Sequence, residues 1–288
     1  MNKTVRYVIY GIIVALCVLA IIVGVYGQVH VDYENTIITQ NTIIDEKSSE
    51  DKDVIDDESF KKEFYNSLNQ KYDMSNINVR DESHADELVF SVNIPKENTI
   101  GNIILPAINI KSDVVDKLNA QTEKYIEIKN KVSAEAKTLN EASNYEVGYA
   151  AYIYDDILSI AIRCSYKIGY NYQVVNMSSY NYDIKNDKLV TMNDIVNKYN
   201  INTESVEGQI KAIIERKNNS SKEVYDNGNA KTLVRDVNSD MYKLSKSDNF
   251  LLTEKGDLYI IYSYATQQET ATYDVVKIDL NSGTNKEK

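Results

Sequence analysis

Histidine occurs twice in this 288-residue chain, as His30 and His84, and residues 85–288 contain none. A Ser-His-Asp or Cys-His nucleophile needs an imidazole inside the folded core, and a hydrolytic zinc site needs several imidazole or thiolate ligands. The single cysteine of that region, Cys164, supplies neither arrangement. No GxGxxG, P-loop or GxSxG pattern is present. Carboxylate chemistry passes this filter, because a glycosidase needs only two acids about 5 to 9.5 Å apart. Asp155 and Asp156 stand together at the end of a strand pattern. An Asp-Asp pair between two strands is ordinarily a turn device, and the chain has no Trp from which to build a stacking platform. The expectation is a protein that is not an enzyme and holds no cofactor or metal; a carboxylate-dependent glycan-active enzyme is the third-ranked reading.

Tyrosine is the unusual resource, with 23 residues, nine of them between Tyr145 and Tyr182. It joins apolar area to a hydroxyl at low entropic cost, which suits a binding face. It also favours strands, half of whose positions face solvent, and for most of these residues that structural role is preferred. Tyr166, Tyr170 and Tyr172 differ, because they straddle a predicted loop over 167–171 and cannot all enter a core.

Net charge is −11 and the isoelectric point about 4.8. This opposes binding to nucleic acid or to an anionic lipid surface. The uncharged run from Tyr7 to Tyr26 lies between Lys3 and Arg6 on one side and Asp32 and Glu34 on the other. About 20 apolar residues match the hydrocarbon core, and the positive-inside bias places residues 1–6 in the cytoplasm and everything after 27 outside. The expected location is therefore the cell membrane, single-pass, with the C-terminal domain extracytoplasmic. A cleaved signal peptide ending near Gly27 is the competing reading, although a cleaved apolar region usually has about 7 to 15 residues. Cys17 falls inside the run and cannot pair with Cys164, which reads as a small buried hydrophobe.

The boundaries drawn are a cytoplasmic stub 1–6, an anchor 7–27, a stalk 28–59, a short helix and connector 60–86, an extracytoplasmic domain 87–281 and a tail 282–288. Residues 45–58 hold eight carboxylates against two lysines, too little apolar surface to offset ordering entropy. Phe60, Phe64 and Leu68 have helical spacing. In the domain, strands are predicted over 87–94 and 102–110. A long helix follows over 112–140 behind a Ser112 cap, with its apolar stripe interrupted only by Lys129. Strands over 145–154, 157–168 and 172–184 come next. Thr191-x-x-Asp194 is a capping box, helices are predicted over 204–217 and 230–244, and closing strands over 250–253, 258–264 and 273–280. The fold class is α+β, an antiparallel sheet with a long helix and several shorter helices packed on it, preceded by one transmembrane helix.

The stretch LPAINI, a helix with Lys117-Leu118-Asn119, ILSIAIRCSYKIG, SSYNYDIKNDKLVTMNDIV and NFLLTEKGDLYIIYSY resembles, over about residues 100–280, the extracytoplasmic domain of RsiV-type anti-sigma factors. The same domain of unknown function accompanies PdaC-type peptidoglycan deacetylases. Tyr182-Asp183-Ile184 to Leu189-Val190-Thr191 is similar to the family's Y-x-D-L-x-T-G-K-x-L-T-L pattern. The resemblance implies a binding or sensing domain of the cell envelope that recognises a protein, as RsiV binds lysozyme, or peptidoglycan. Its contact loops map to 167–171 and 264–270, adding Tyr264 and Gln267 to the candidate ligand-binding residues. The family's Gly-Gly-x-His-like and Pro-Tyr loops read Ile168-Gly169-Tyr170-Asn171-Tyr172 and Tyr264-Ala265-Thr266-Gln267-Gln268 here, and a six-residue stub is too short for a sigma-binding module. The alternative function is a structural assembly factor of division or sporulation that pairs with another membrane protein.

Overall fold

A computed structural model describes residues 54–55, 57–95, 101–170, 173–226, 235–265 and 271–280. The expected anchor, most of the stalk, the tail, Tyr172 and Gln267 lie outside the described residues, among which no helix is long and apolar enough to cross a membrane.

The class is α+β, as expected, and its antiparallel strands form three sheets. A hairpin of β2 (Val89–Asn93) and β3 (Ile104–Ile108) stands apart. A second sheet runs β4-β5-β6-β7, from Ser143–Tyr154, Ile157–Ile168, Val174–Asp183 and Lys188–Leu189. The third has the order β1-β10-β9-β8, from Val54–Ile55, Ala271–Asp279, Asp257–Ala265 and Phe250–Leu252. The helices are α1 (Asp57–Lys61), α2 (Asp113–Ala120), α3 (Glu123–Leu139), α4 (Met192–Lys198) and α5 (Thr203–Asp226).

Strand alternation divides the core into three layers. Along β4, Tyr145, Val147, Tyr149, Ala151 and Ile153 point to a core roofed by α2, α3 and the β2–β3 hairpin. Ala150 and Tyr152 point the other way, meeting Leu251, Tyr259, Ile261 and Val275 of the third sheet. That sheet's outer residues, among them Phe250, Ile260, Tyr262 and Val276, are covered by Ile195 of α4 and Ile210 and Ile214 of α5. Because side chains alternate with a period of two, each of the two larger sheets is apolar on both faces. Polar side chains join the two sheets: Ser179 Oγ accepts from Phe250 N at 2.7 Å, and Asn181 donates to Phe250 O at 3.1 Å.

Several boundaries move. Val54 and Ile55, placed in the acidic stalk, pair with Val276 and Val275 of β10. Phe60 is fully buried against Phe64 and Tyr259. The ordered domain thus begins upstream of residue 87; two β-branched residues between carboxylates suffice for an edge strand once a partner strand exists. The Phe60/Phe64/Leu68 spacing is not one helix. α1 stops at Lys61, Asn66 turns the chain at φ 57°, and Leu68 bridges to Ala151.

The long helix breaks into α2 and α3 where Gln121 N turns to Leu118 O and Thr122 N to Asn119 O, tightening the ladder. Lys129 is buried on the inward face and Leu139 half exposed, the reverse of their hydropathy. Where the helix over 230–244 was expected, the described residues form two single 3-10 turns, Asp240–Tyr242 and Leu244–Lys246.

Candidate functional site

The hairpin β4–β5 turns on Asp155 and Asp156, with φ 49° and 63°. Two successive positive φ values are what a two-residue hairpin turn demands, and Asp tolerates them. Asp156 pairs with Lys185 Nζ at 2.5 Å, while Asp155 accepts from Tyr199 Oη at 3.3 Å. The two acids considered for glycan chemistry are held by turn geometry and internal partners. The Tyr182-Asp183 motif lies at the same end. Asp183 accepts from Lys185 N, Asn186 N and Asn186 Nδ2, and Tyr182 donates to Asp187 at 2.8 Å. The motif most telling of the resemblance therefore builds a turn. Among the described residues no group of three or more His, Cys, Asp or Glu is placed to hold a metal.

Cys164 is fully buried, with its Sγ 3.3 Å from Tyr145 Oη. Burial pushes its thiol up to about 11, away from nucleophilic thiolate. Tyr145 donates to Tyr125 O at 2.6 Å, and Tyr125 Oη meets Ser178 Oγ at 2.5 Å. Burial raises both hydroxyls above the ordinary phenol range. These tyrosines are core residues with satisfied tips.

The other end of the sandwich differs. Asn249 donates to Met177 O at 3.3 Å, beside the Phe250 bonds to Ser179 and Asn181, and Ile261 N bonds Asn249 O. β9 consequently ascends beside a descending β6, so the β5–β6 and β9–β10 hairpins leave the sandwich at one end. This brings the stems of both predicted contact loops to the same side. Tyr166, paired with Val174, is half-buried with its ring 6.2 Å from that of Tyr145. Its hydroxyl pKa is raised, chiefly by burial. Tyr170 is 93 % exposed, the most exposed of the large hydrophobic side chains described. Tyr264 pairs with Thr272 at the open end of β9 and β10.

Gly169 shapes that end. Its φ is 51°, its N–H donates to Ala142 O at 2.8 Å, and an added Cβ would sit 2.7 Å from Glu141 Oε2. The left-handed φ favours glycine, while the Cβ contact is with the movable end of the Glu141 side chain, and Tyr170 follows out in solvent.

Sequence reasoning missed two recesses. One, ≈ 500 Å³, lies beside the β2–β3 hairpin, lined by Phe90, Val92 and Leu105 together with Arg80 and Ile126. The amide of Asn119 bonds both N and O of Ile108 there, at 2.9 and 3.0 Å, standing in for a neighbouring strand along β3. The other, ≈ 560 Å³, lies where α3 hands over to β4. Ala142, which bonds Gly169, is on its wall. The first is assembled from segments far apart in the chain, whereas the second is lined by the single stretch 133–143 and carries no periodic or motif signature.

No family model matches the chain, and no curated protein does. Among solved structures it is similar to a DUF3298 family protein from Pseudomonas aeruginosa PAO1, with TM-score 0.35 and 11% identity over 67% of this chain and 90% of that one. It is also similar to a member of the DUF3298 family from Bacteroides fragilis, with TM-score 0.37 and 14% identity over 67% and 90% of the two chains.

Proposed function

We propose that this chain is a membrane-anchored, noncatalytic binding domain of the cell envelope, presented outside the cell by residues 7–27. Its recognition surface is the hairpin end that carries Tyr166, Tyr170 and Tyr264, with Tyr172 and Gln267 on the same two loops. The ligand is an envelope protein or peptidoglycan. One observation carries the reading: Tyr170, an aromatic with a hydrogen-bonding tip, stands 93 % exposed directly after the positive-φ turn at Gly169. Such a residue gains nothing for the core and has the makings of an interface anchor. The RsiV-like pattern over residues 100–280 supports the same location.

The test is retention of the full-length, detergent-solubilised chain on purified cell wall and, separately, on immobilised envelope proteins, with Tyr170→Ala alongside. Retention lost in the variant at unchanged melting temperature is the expected result. Equal retention of both would remove this end from the site. Protease added to intact protoplasts should degrade the domain and leave the anchor behind; a protected domain would overturn the orientation.

A further inference from the structure

The recess between α3 and β4 is lined by Ser133, Ala134, Ala136, Lys137, Glu141 and Ser143, with Ala142 in the connecting loop. Its ≈ 560 Å³ is within the ~300–1,000 Å³ of small-molecule sites. Two of its side chains stand out. Ser143 is only 5 % exposed, and neither its hydroxyl nor that of Ser133 has a hydrogen-bond partner among the described residues. Buried hydroxyls are almost always paired, and one left unmade is costly. A serine hydroxyl turns between staggered positions about a single bond, so each can swing to a group placed in the recess they line.

We propose that this recess is a subsite for a neutral saccharide. The assignment rests on the reading of this end as the recognition surface and adds the chemistry of the ligand. Each serine hydroxyl both donates and accepts, as a sugar hydroxyl does. Lys137 adds a donor and Glu141 an acceptor, and their charges cancel, so the wall has no preference for an anion or a cation. Ala134, Ala136 and Ala142 offer methyl groups of a size to meet the C–H faces of a pyranose ring without crowding it. An alkyl chain would leave both hydroxyls unmade, and a phosphate would meet the Glu141 carboxylate. Gly169 N bonds Ala142 O, so a chain of sugars leaving the recess passes the loop that carries Tyr170.

The probe is N,N′,N″-triacetylchitotriose, titrated calorimetrically into the full-length chain in detergent micelles. Saturable binding is expected. Ser143→Ala should weaken it roughly five- to tenfold, the worth of one neutral hydrogen bond, and Ala134→Phe should abolish it by filling the recess from an exposed helix position. Neither variant should lower the melting temperature, since one deletes an unmade hydroxyl and the other changes a solvent-facing residue. Absence of saturable binding, or binding that both variants leave intact, overturns the subsite. Wall or protein retention that depends on Tyr170 without any trisaccharide binding overturns the subsite alone and leaves the recognition end standing. Loss of both overturns both.

Discussion

The two ends of the sandwich are built from the same residue types and treat them in opposite ways. At the end where β4 turns into β5 and β6 into β7, each carboxylate has an internal partner. Asp156 holds Lys185, Asp183 gathers three N–H donors, and Asp187 accepts from Tyr182. At the opposite end Tyr170 stands in solvent on a glycine turn. A tyrosine or an aspartate is thus read only once its partners are known: here Asp155 and Asp156 form the hairpin turn and have internal partners, while one tyrosine of a strand-rich cluster stands exposed. Depth makes the same point. Tyr145 and Tyr170 belong to one tyrosine-rich stretch, yet one is fully buried and the other almost bare.

The largest effect should come from that pair. Tyr145→Ala removes a fully buried ring and its bond to Tyr125 O. It should cost about 3 to 5 kcal/mol, as large aromatic truncations in a core do, read from the urea midpoint. A cost below about 1 kcal/mol would mean that the ring is not the core residue described.

A buried ion pair tests whether polarity near the open end must be functional. Asp274, 1 % exposed, takes Arg235 through two bonds of 2.6 and 2.9 Å, with Lys217 Nζ at 3.6 Å. Asn218 clamps the Arg235 backbone through N and O. Asp274→Asn removes the buried carboxylate that Arg235 and Lys217 share and should destabilise the fold by about 3 kcal/mol, with ligand retention per folded molecule unchanged.

At the closed end, Thr191 accepts from Asp194 N at 3.2 Å and Asp194 accepts from Thr191 N at 2.8 Å, a complete capping box opening α4. Thr191→Ala should cost about 1 kcal/mol. The Thr191 hydroxyl, followed by its N–H, holds the Asp194 carboxyl below the usual carboxylate value. A carboxyl depressed in the folded state stabilises it above the unfolded value of about 3.9 and loses that contribution as pH falls through the folded value. The difference in stability between wild type and Thr191→Ala should therefore hold at neutral pH and narrow below about pH 4. A difference that widens in acid would contradict the box.

Tyr170→Ala should have the smallest structural effect, within about 0.5 kcal/mol of wild type, and should reduce ligand retention. Lost stability with retention unchanged per folded molecule would reverse the comparison and make Tyr170 a structural residue.

Much of the fold was legible in the residues because its signals are local. The Asp155-Asp156 turn, the Ser112 cap, the Thr191 capping box and the three central strands each depend on side chains a few positions apart. What was misread depends on partners far away. Val54 and Ile55 became a strand because β10 offers an edge more than two hundred residues later. The helix over 112–140 breaks beside Asn119, whose side chain is taken up by Ile108 of β3. At the candidate site, Tyr166, Tyr170 and Tyr172 were expected not all to enter a core, and the structure has Tyr166 half-buried and Tyr170 exposed; the recess beside them went unseen, since Ser133 and Ser143 mark nothing by themselves.

By itself the sequence determined where the chain turns, where helices α2 and α4 begin and which strand positions alternate inward, because φ preferences, caps and the period of two act within a few residues. Only the tertiary structure decided which face of each sheet meets helices and which meets another sheet, which carboxylates find a cation, and that the β5–β6 and β9–β10 hairpins leave by one end. Those outcomes follow from burial and pairing between segments remote in the chain, and no local pattern carries that information.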